Sequence, residues 1–187
     1  MTRLLALHEA AGARWSGEGA ARVPRNYGDP AAEYEAARSG VVVAERVDRS
    51  FVRVHGRDPV KMVQGLVSND IASASPNRAV YATVLTPKGK MVADVRVLRH
   101  GLDLLLETDR AAAEPLMAHL RKFVPPLFAR FEDANAAWGE LGVYGPHSRD
   151  VLMKLFGIDI RQNVDEDDLH TASHGGEPVM IVATSHF

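Results

Sequence analysis

Three short apolar runs joined by tight turns constrain the fold of this chain more than any other feature. Val80–Leu85 and Met91–Leu98 flank the turn Pro87–Lys90, and Leu102–Thr108 follows a His-Gly pair. Runs of this kind, separated by short turns that contain glycine, are typical of antiparallel hairpins. The pattern therefore predicts three consecutive antiparallel strands and argues against the repeated strand–helix–strand units of a doubly wound sheet.

Helix signals on both sides of these strands complete the prediction of fold class. Asp29 is a good N-cap, Pro30 suits the first helical position, and Gly40 closes the end of the helix. Residues 50–135 are predicted as strand–helix–strand–strand–strand–helix–strand, which is a ferredoxin-related unit. We therefore expect an α+β fold in which antiparallel sheets have flanking helices.

The predicted domain organisation follows from where this unit lies. Residues 50–135 form the ferredoxin-related α+β domain, and 1–49 together with 136–187 form a discontinuous first domain. Residues 14–28 have no clear period and are predicted as a linking arm. Residues 157–176 are acidic and rich in turn formers, which predicts an exposed loop.

Composition excludes several classes of function. The chain has 187 residues, enough for a sizeable core, but no cysteine, which excludes disulfides, thiolate metal sites and a thiol nucleophile. The net charge of -2 lacks the strongly basic balance of a typical nucleic-acid binder, so a nucleic acid is not expected as a direct ligand. No stretch approaches the length of a membrane span, and we expect a cytoplasmic protein.

Asp94 is the residue whose position is hardest to explain by folding alone. It lies in the strand MVADVRVL, where the alternating positions Val92 and Leu98 are apolar. A carboxylate on a face that is otherwise buried needs a partner or a ligand. Two alternatives remain open from the pattern: an ion pair with Arg96 at the sheet surface, or a role in a binding pocket.

Other polar residues have simpler explanations. Asn69 and Asp70 follow a helix that is predicted to run through KMVQGLVSN, where both residue types favour local caps. Tyr81 suits cross-strand packing on the first hairpin strand. His170 and His174 have the spacing of zinc ligands on a helix, with His186 and several carboxylates nearby, but HTASHGG is a poor helix, so no metal site is predicted.

Several segments, in order, resemble one superfamily of proteins. These segments are Tyr27-Gly28-Asp29-Pro30, Val63 to Asp70, Ala79 to Asp94 through the turn Thr86-Pro87-Lys88-Gly89-Lys90, and Leu141-Gly142-Val143-Tyr144-Gly145-Pro146. They resemble the T-proteins, which are the aminomethyltransferases of the glycine cleavage system, and the related YgfZ-type folate-binding proteins. The resemblance runs from about residue 25 to the end of the chain.

The resemblance implies a cloverleaf fold whose central hole binds tetrahydrofolate. In T-proteins the acidic residue that matches Asp94 lies close to the folate atoms that accept the one-carbon unit, which makes Asp94 the candidate catalytic residue. Asp94, Tyr81, Met62, Val95 and Asn69 are the residues that the resemblance implies for cofactor binding. The T-protein reaction moves a methylene group from an aminomethyl-lipoyl carrier protein to tetrahydrofolate and releases ammonia.

Departures from the family pattern bear on function. T-proteins usually carry two acidic residues in the hairpin strand, whereas the first position here is Ala93. The family's Thr-Gly-Glu segment, the YgfZ-type Lys-Gly-Cys motif and the C-terminal barrel are all expected after Phe187, so the chain matches about half of a family member.

Three functional interpretations follow from the resemblance. The first is a tetrahydrofolate-binding protein of the YgfZ type, which supports iron–sulfur enzyme maintenance and tRNA modification. The second is an aminomethyltransferase whose partner is a lipoyl carrier protein. The third is a non-catalytic structural or interaction fragment, since likeness of fold does not settle function.

Overall fold

The computed structural model describes residues 4–18, 22–158, 160 and 165–184. In chain order its elements are α1 (Leu5–Ala10), β1 (Arg14–Ser16), β2 (Val23–Asn26), α2 (Pro30–Ser39), β3 (Val42–Glu45), β4 (Arg49–Gly56), α3 (Pro59–Gln64), β5 (Val80–Leu85), β6 (Met91–His100), β7 (Asp103–Asp109), α4 (Arg110–Phe123), β8 (Ala129–Asp133), β9 (Leu141–Tyr144), α5 (Ser148–Phe156), β10 (Leu169–His174) and β11 (Glu177–Val182). The chain divides into two compact units. Unit 1 comprises Met1–Val47 and Glu140–Gln162, and unit 2 comprises Asp48–Gly139 and Asn163–Phe187.

Unit 1 contains two small antiparallel pairs, β1 with β2 and β3 with β9. The predicted linking arm over 14–28 therefore contains a hairpin. Its side chains are held by the aromatic ring of Trp15, which stacks under the guanidinium of Arg22 at 4.1 Å and meets the ring of His8 edge-on. These contacts have no sequence period, which is why the pattern missed the hairpin.

Helix α2 begins and ends where its capping residues predict. The side chain of Asp29 accepts hydrogen bonds from the backbone N–H groups of Ala31 and Ala32, and Pro30 opens the helix. The turn after β9 packs against the end of this helix. A Cβ built on Gly145, whose φ is +110°, would lie 2.9 Å from the carbonyl oxygen of Ala37 and would overlap that of Gly40.

Unit 2 is built on a five-stranded sheet with the order β5-β6-β7-β4-β8. Every neighbouring pair is antiparallel. The element order of strand, helix, three strands, helix and strand is the predicted one, with one hairpin strand more than a β-α-β-β-α-β unit. The predicted α+β class with antiparallel sheets is therefore confirmed.

One face of this sheet packs against α3 and α4 and forms the main core. Its fully buried apolar side chains come from strands and helices alike. They are Val52, Val54, Val63, Val84, Val95, Leu104, Leu106, Leu116 and Leu120. Their burial follows from strict alternation along β4 to β7 and from helical spacing on α4.

The other face of the sheet is only partly apolar. Phe51, Leu98 and Leu105 form a smaller cluster there, and Leu169 from β10 is buried in the same cluster. The hairpin β10–β11 thus lies with unit 2, whereas the predicted first domain included 136–187. The acidic loop predicted over 157–176 contains β10, because this strand buries Leu169 at its start.

Helix α3 is shorter than its pattern indicated. It ends at Gln64 and does not reach Asn69. Beyond Gly65 the chain pairs with β5 instead: Val67 bridges Val84, and the Ser68 N–H donates to the Thr83 carbonyl at 2.9 Å. Strand pairing at these positions replaces the last turns of the predicted helix.

Among the described residues, no helix combines the length and the apolar composition needed to cross a membrane.

Candidate ligand-binding face of unit 2

Asp94 lies on the partly apolar face of the five-stranded sheet. Its neighbours along β6, Ala93 and Val95, are buried in the main core, so alternation turns the Asp94 carboxylate to the opposite side. The side chain is half-buried. Its backbone carbonyl accepts a hydrogen bond of 2.7 Å from the hydroxyl of Thr108 on β7, which fixes the strand at this point.

Tyr81 on β5 is the polar neighbour of this carboxylate. Its phenol donates to Oδ2 of Asp94 at 3.4 Å, a long hydrogen bond, and the side chain is 48% exposed. Partial burial, followed by the charge and hydrogen bond of Asp94, raises the pKa of Tyr81 above its usual 10.0; nearby Arg49 and Arg96 act in the opposite direction. The phenol therefore remains a hydrogen-bond donor at neutral pH.

A network of alternating charges lies beside this pair. Glu107, almost fully buried on β7, accepts from Nε of Arg49 at 2.7 Å and from Nη1 of Arg96 at 3.1 Å. Nε of Arg96 also lies 3.4 Å from Oδ1 of Asp167. Among the described residues, the ion pairs of Arg96 run to these two carboxylates and not to Asp94.

The five predicted site residues fall into two groups. Asp94, Tyr81 and Asn69 lie together, because the Asn69 side-chain amide donates to the Tyr81 carbonyl at 2.9 Å. Val95 is completely buried in the main core, and Met62 packs against that core from α3. The side chains of Val95 and Met62 are therefore on the helical side of the sheet, away from the Asp94 carboxylate.

Sequence reasoning missed the members of the charge network other than Arg96. Glu107 carried a usable signal, since a carboxylate interrupts the apolar run LLLET and pairs across the β6–β7 hairpin with Arg96. Asp167 carried none, because its place beside Arg96 depends on how the β10–β11 hairpin packs far along the chain.

The histidines of the C-terminal region do not form a metal site in the described residues. His170 and His174 lie on a strand, not on a helix, and four positions along a strand separate side chains by roughly 13 Å. His186 lies outside the described residues. No group of three or more potential ligand side chains is close enough to bind a metal in the part of the chain that is described.

A separate open depression of about 290 Å³ lies on the helical side of unit 2. It is lined by Gly65, Leu66, Val67, Ser68, Leu85, Thr86, Pro87, His119 and Phe123. None of the five predicted site residues is among its lining residues, and we assign it no part in the site.

Solved structures share this fold. The crystal structure of the glycine cleavage system aminomethyltransferase T from Bartonella henselae superimposes with a TM-score of 0.71 at 19% identity, covering 89% of this chain and 45% of that chain. A heterotetrameric sarcosine oxidase from Corynebacterium sp. U-96 superimposes with a TM-score of 0.56, also at 19% identity, covering 83% and 78%. The architecture is thus that of the aminomethyltransferase T class of proteins.

Curated relatives agree with the fold. Aminomethyltransferases from Rubrobacter xylanophilus and Koribacter versatilis are 27% and 28% identical, covering 96% and 85% of this chain but 48% and 43% of their own lengths. The family model for the GCVT N-terminal domain matches residues 4–187. The chain therefore belongs to the GCVT N-terminal domain family, which confirms the resemblance, and it spans about half the length of the curated relatives it matches.

Proposed function

We propose that this chain is the folate-binding N-terminal part of an aminomethyltransferase-type protein, and that a reduced folate binds on the Asp94 face of unit 2. The observation that carries the proposal is the Asp94 carboxylate, half-buried beside Tyr81, while its charged neighbour Arg96 is engaged by other carboxylates. In the described part of the chain, Asp94 thus offers an acceptor that forms no ion pair with a guanidinium.

The chemistry of this face suits a pterin ring. A reduced pterin presents N–H donors along its edge, and a carboxylate forms stronger hydrogen bonds to such donors than a neutral acceptor does. Tyr81, nearly half exposed, adds an aromatic surface and a phenolic hydroxyl at the same place. Asn69 holds the backbone of β5 at Tyr81, so its role is to position that strand.

The family relationship supports a specific reaction for the whole protein. In that reaction a methylene group passes from an aminomethyl-lipoyl carrier protein to tetrahydrofolate with release of ammonia. This chain would contribute one wall of the site, where Asp94 and Tyr81 orient the folate. Orientation and electrostatic placement supply most of the rate gain in such a transfer.

One observation favours a YgfZ-type folate-binding role as the second candidate. The strand position before Asp94, where T-proteins carry a further acid, holds Ala93, which is buried in the main core. A carboxylate at that position would be buried among apolar side chains, so this unit accommodates one acid and not two. The YgfZ-type role includes support of iron–sulfur enzymes and tRNA modification without one-carbon transfer.

A fluorescence titration tests folate binding directly. The chain has two tryptophans, and Trp138 packs beside the apolar cluster on the same sheet face as Asp94. A Trp15→Phe variant leaves Trp138 as the only reporter. Folinic acid is expected to quench it saturably, both in this chain and in any longer gene product that contains it. Absence of binding in both would overturn the proposal.

A second assay separates the two candidate roles. The longest available gene product is incubated with tetrahydrofolate and an aminomethyl-lipoyl carrier protein, and released ammonia is measured. Ammonia release that depends on both substrates supports the aminomethyltransferase. Folate binding without any release supports the YgfZ-type role.

A further inference from the structure

We propose that Asp167 is a positioning residue, which holds the guanidinium of Arg96 away from Asp94 and so leaves the Asp94 carboxylate free for a ligand. This inference deepens the proposed function and rests on it. It assigns a purpose to a residue outside the predicted site, whose carboxylate contacts Arg96 on the same strand as Asp94.

The backbone at Asp167 is held in an unusual conformation. Among the described residues other than glycine, it alone has a positive φ, of 68°. The left-handed region is disfavoured for residues with a side chain, although aspartate and asparagine tolerate it best. Hydrogen bonds fix the segment on both sides: the Asp167 N–H donates to the Ala183 carbonyl, and its own carbonyl accepts from the Ala79 N–H, each at 2.8 Å.

This conformation places the Asp167 carboxylate against Arg96. Oδ1 lies 3.4 Å from Nε, so Coulomb attraction, and not an aligned hydrogen bond, accounts for the contact. Both side chains are mostly buried, with relative exposures of 21% and 13%, which weakens solvent screening of their attraction. Residues held in a disfavoured backbone conformation, as Asp167 is, are frequent at functional sites.

The charge balance of the face explains why this contact matters. Arg96 and Asp94 lie two positions apart on one face of β6, roughly 7 Å along the strand, which is within reach of an arginine side chain. The Glu107 carboxylate is shared between Arg49 and Arg96, and its distance to Nε of Arg49, 2.7 Å, is shorter than its 3.1 Å distance to Nη1 of Arg96. With Asp167 present, two guanidinium groups face two carboxylates, and Asp94 has no ion pair with a described residue. Without it, Asp94 is the carboxylate left to balance Arg96.

The main test replaces the carboxylate and keeps the backbone. Asp167→Asn preserves size and tolerance of the left-handed region, so the chain should still fold, with a thermal midpoint lowered by no more than the loss of the ion pair with Arg96. Its dissociation constant for folinic acid, measured by Trp138 fluorescence, should rise about tenfold as Arg96 turns to Asp94. Asp165→Asn is the matched control, since Asp165 is 79% exposed in the same loop, and it should bind like the parent.

A double substitution distinguishes positioning from direct contact. In Asp167→Asn/Arg96→Gln the competing guanidinium is gone, so affinity should return most of the way to that of the parent. If the double variant binds more weakly than Asp167→Asn alone, or if Asp167→Asn binds like the parent, the inference is overturned. Should Asp167→Asn fail to fold, Asp167→Gly removes the same carboxylate while relieving the backbone, and the same outcomes apply to it.

A readout without folate keeps the inference separate from the proposed function. The charge of Asp94 raises the pKa of Tyr81, so neutralisation of that charge by Arg96 should lower this pKa in Asp167→Asn. Ultraviolet titration against a Tyr81→Phe reference measures the change. If the parent chain binds no folate, the proposed function falls, yet a lower Tyr81 pKa still supports the positioning role. An unchanged Tyr81 pKa overturns it.

Discussion

The helical face of the five-stranded sheet is predominantly apolar, with the hydroxyl residues Ser50 and Thr108 buried at one end, whereas the opposite face carries a charge network beside a small apolar cluster. The same strand contributes side chains to both faces. On β7, Leu106 is fully buried under the helices while Glu107 binds two arginines on the other side. On β6, Val95 and Asp94 divide in the same way. Because side chains alternate along each strand, adjacent residues point to opposite faces, one in the apolar core and the next on the proposed ligand-binding face.

The largest effect is expected on the helical face. Leu106→Ala should lower the free energy of unfolding by about 2–5 kcal/mol, because it removes buried methyl groups and leaves a cavity. Urea denaturation followed by circular dichroism measures the loss. Leu102→Ala is the matched control, since Leu102 is 91% exposed, and it should change stability by less than about 0.5 kcal/mol. Equal effects of the two substitutions would show that this face is not the principal core.

A smaller loss of stability is expected from the charged face. Glu107→Gln keeps the shape of the side chain but leaves Arg49 and Arg96 without their shared carboxylate, which should cost about 1–3 kcal/mol. The same denaturation experiment measures it. Glu114→Gln on the exposed side of α4 provides the control. A Glu107→Gln chain as stable as the parent would mean that the network contributes specificity alone.

Substitutions of the adjacent residues Asp94 and Val95 on β6 should have opposite effects on ligand affinity and on stability. Asp94→Asn is expected to change the unfolding free energy by less than about 0.5 kcal/mol while weakening folinic acid binding about tenfold. Val95→Ala should do the reverse, with a stability loss of about 1–3 kcal/mol and no change in affinity. If Asp94→Asn unfolds the chain, Asp94 has a structural role and the binding proposal loses its central residue.

The smallest effect concerns Tyr81. Its raised pKa means that the folded state favours the neutral phenol, so this contribution to stability is complete below pH 10.0 and is lost as pH rises through the folded-state pKa. Asp94→Asn should move the pKa of Tyr81 part of the way towards 10.0, since the negative charge disappears and only a neutral acceptor remains for the phenol. Ultraviolet titration of both chains checks the shift. An unchanged pKa would show that the 3.4 Å contact between Tyr81 and Asp94 is not populated in solution.

Local signals made much of the fold predictable. Helix α2 follows from Asp29 and Pro30 alone, and the strands of unit 2 follow from alternation and turns. The hairpin of β1 and β2 was not predictable, because the stacking of Arg22 on Trp15 produces no repeating pattern of apolar residues in the sequence. Helix α3 was overestimated because pairing with β5 outweighs helical propensity after Gly65.

The candidate site was predictable in part for the same reasons. Asp94 is conspicuous within its strand, and Tyr81 lies diagonally from it on the neighbouring strand, where Thr83 is the direct partner of Asp94. The alternation that singled out Asp94 also places Val95 on the other side, so a pocket containing both side chains is incompatible with one flat strand. Asp167 depends on packing between distant segments, and no local pattern carries that information.

The glycine in the turn after β9 has a consequence for how much this chain can vary. At Gly145 any side chain would enter the space of two backbone carbonyl oxygens, and those oxygens belong to the rigid end of a helix. Flexible neighbours can yield to a mutation, but these cannot. In a library of random variants we expect position 145 to retain glycine almost exclusively, whereas Gly139, with no atom within 4 Å of its missing Cβ, should accept many residues.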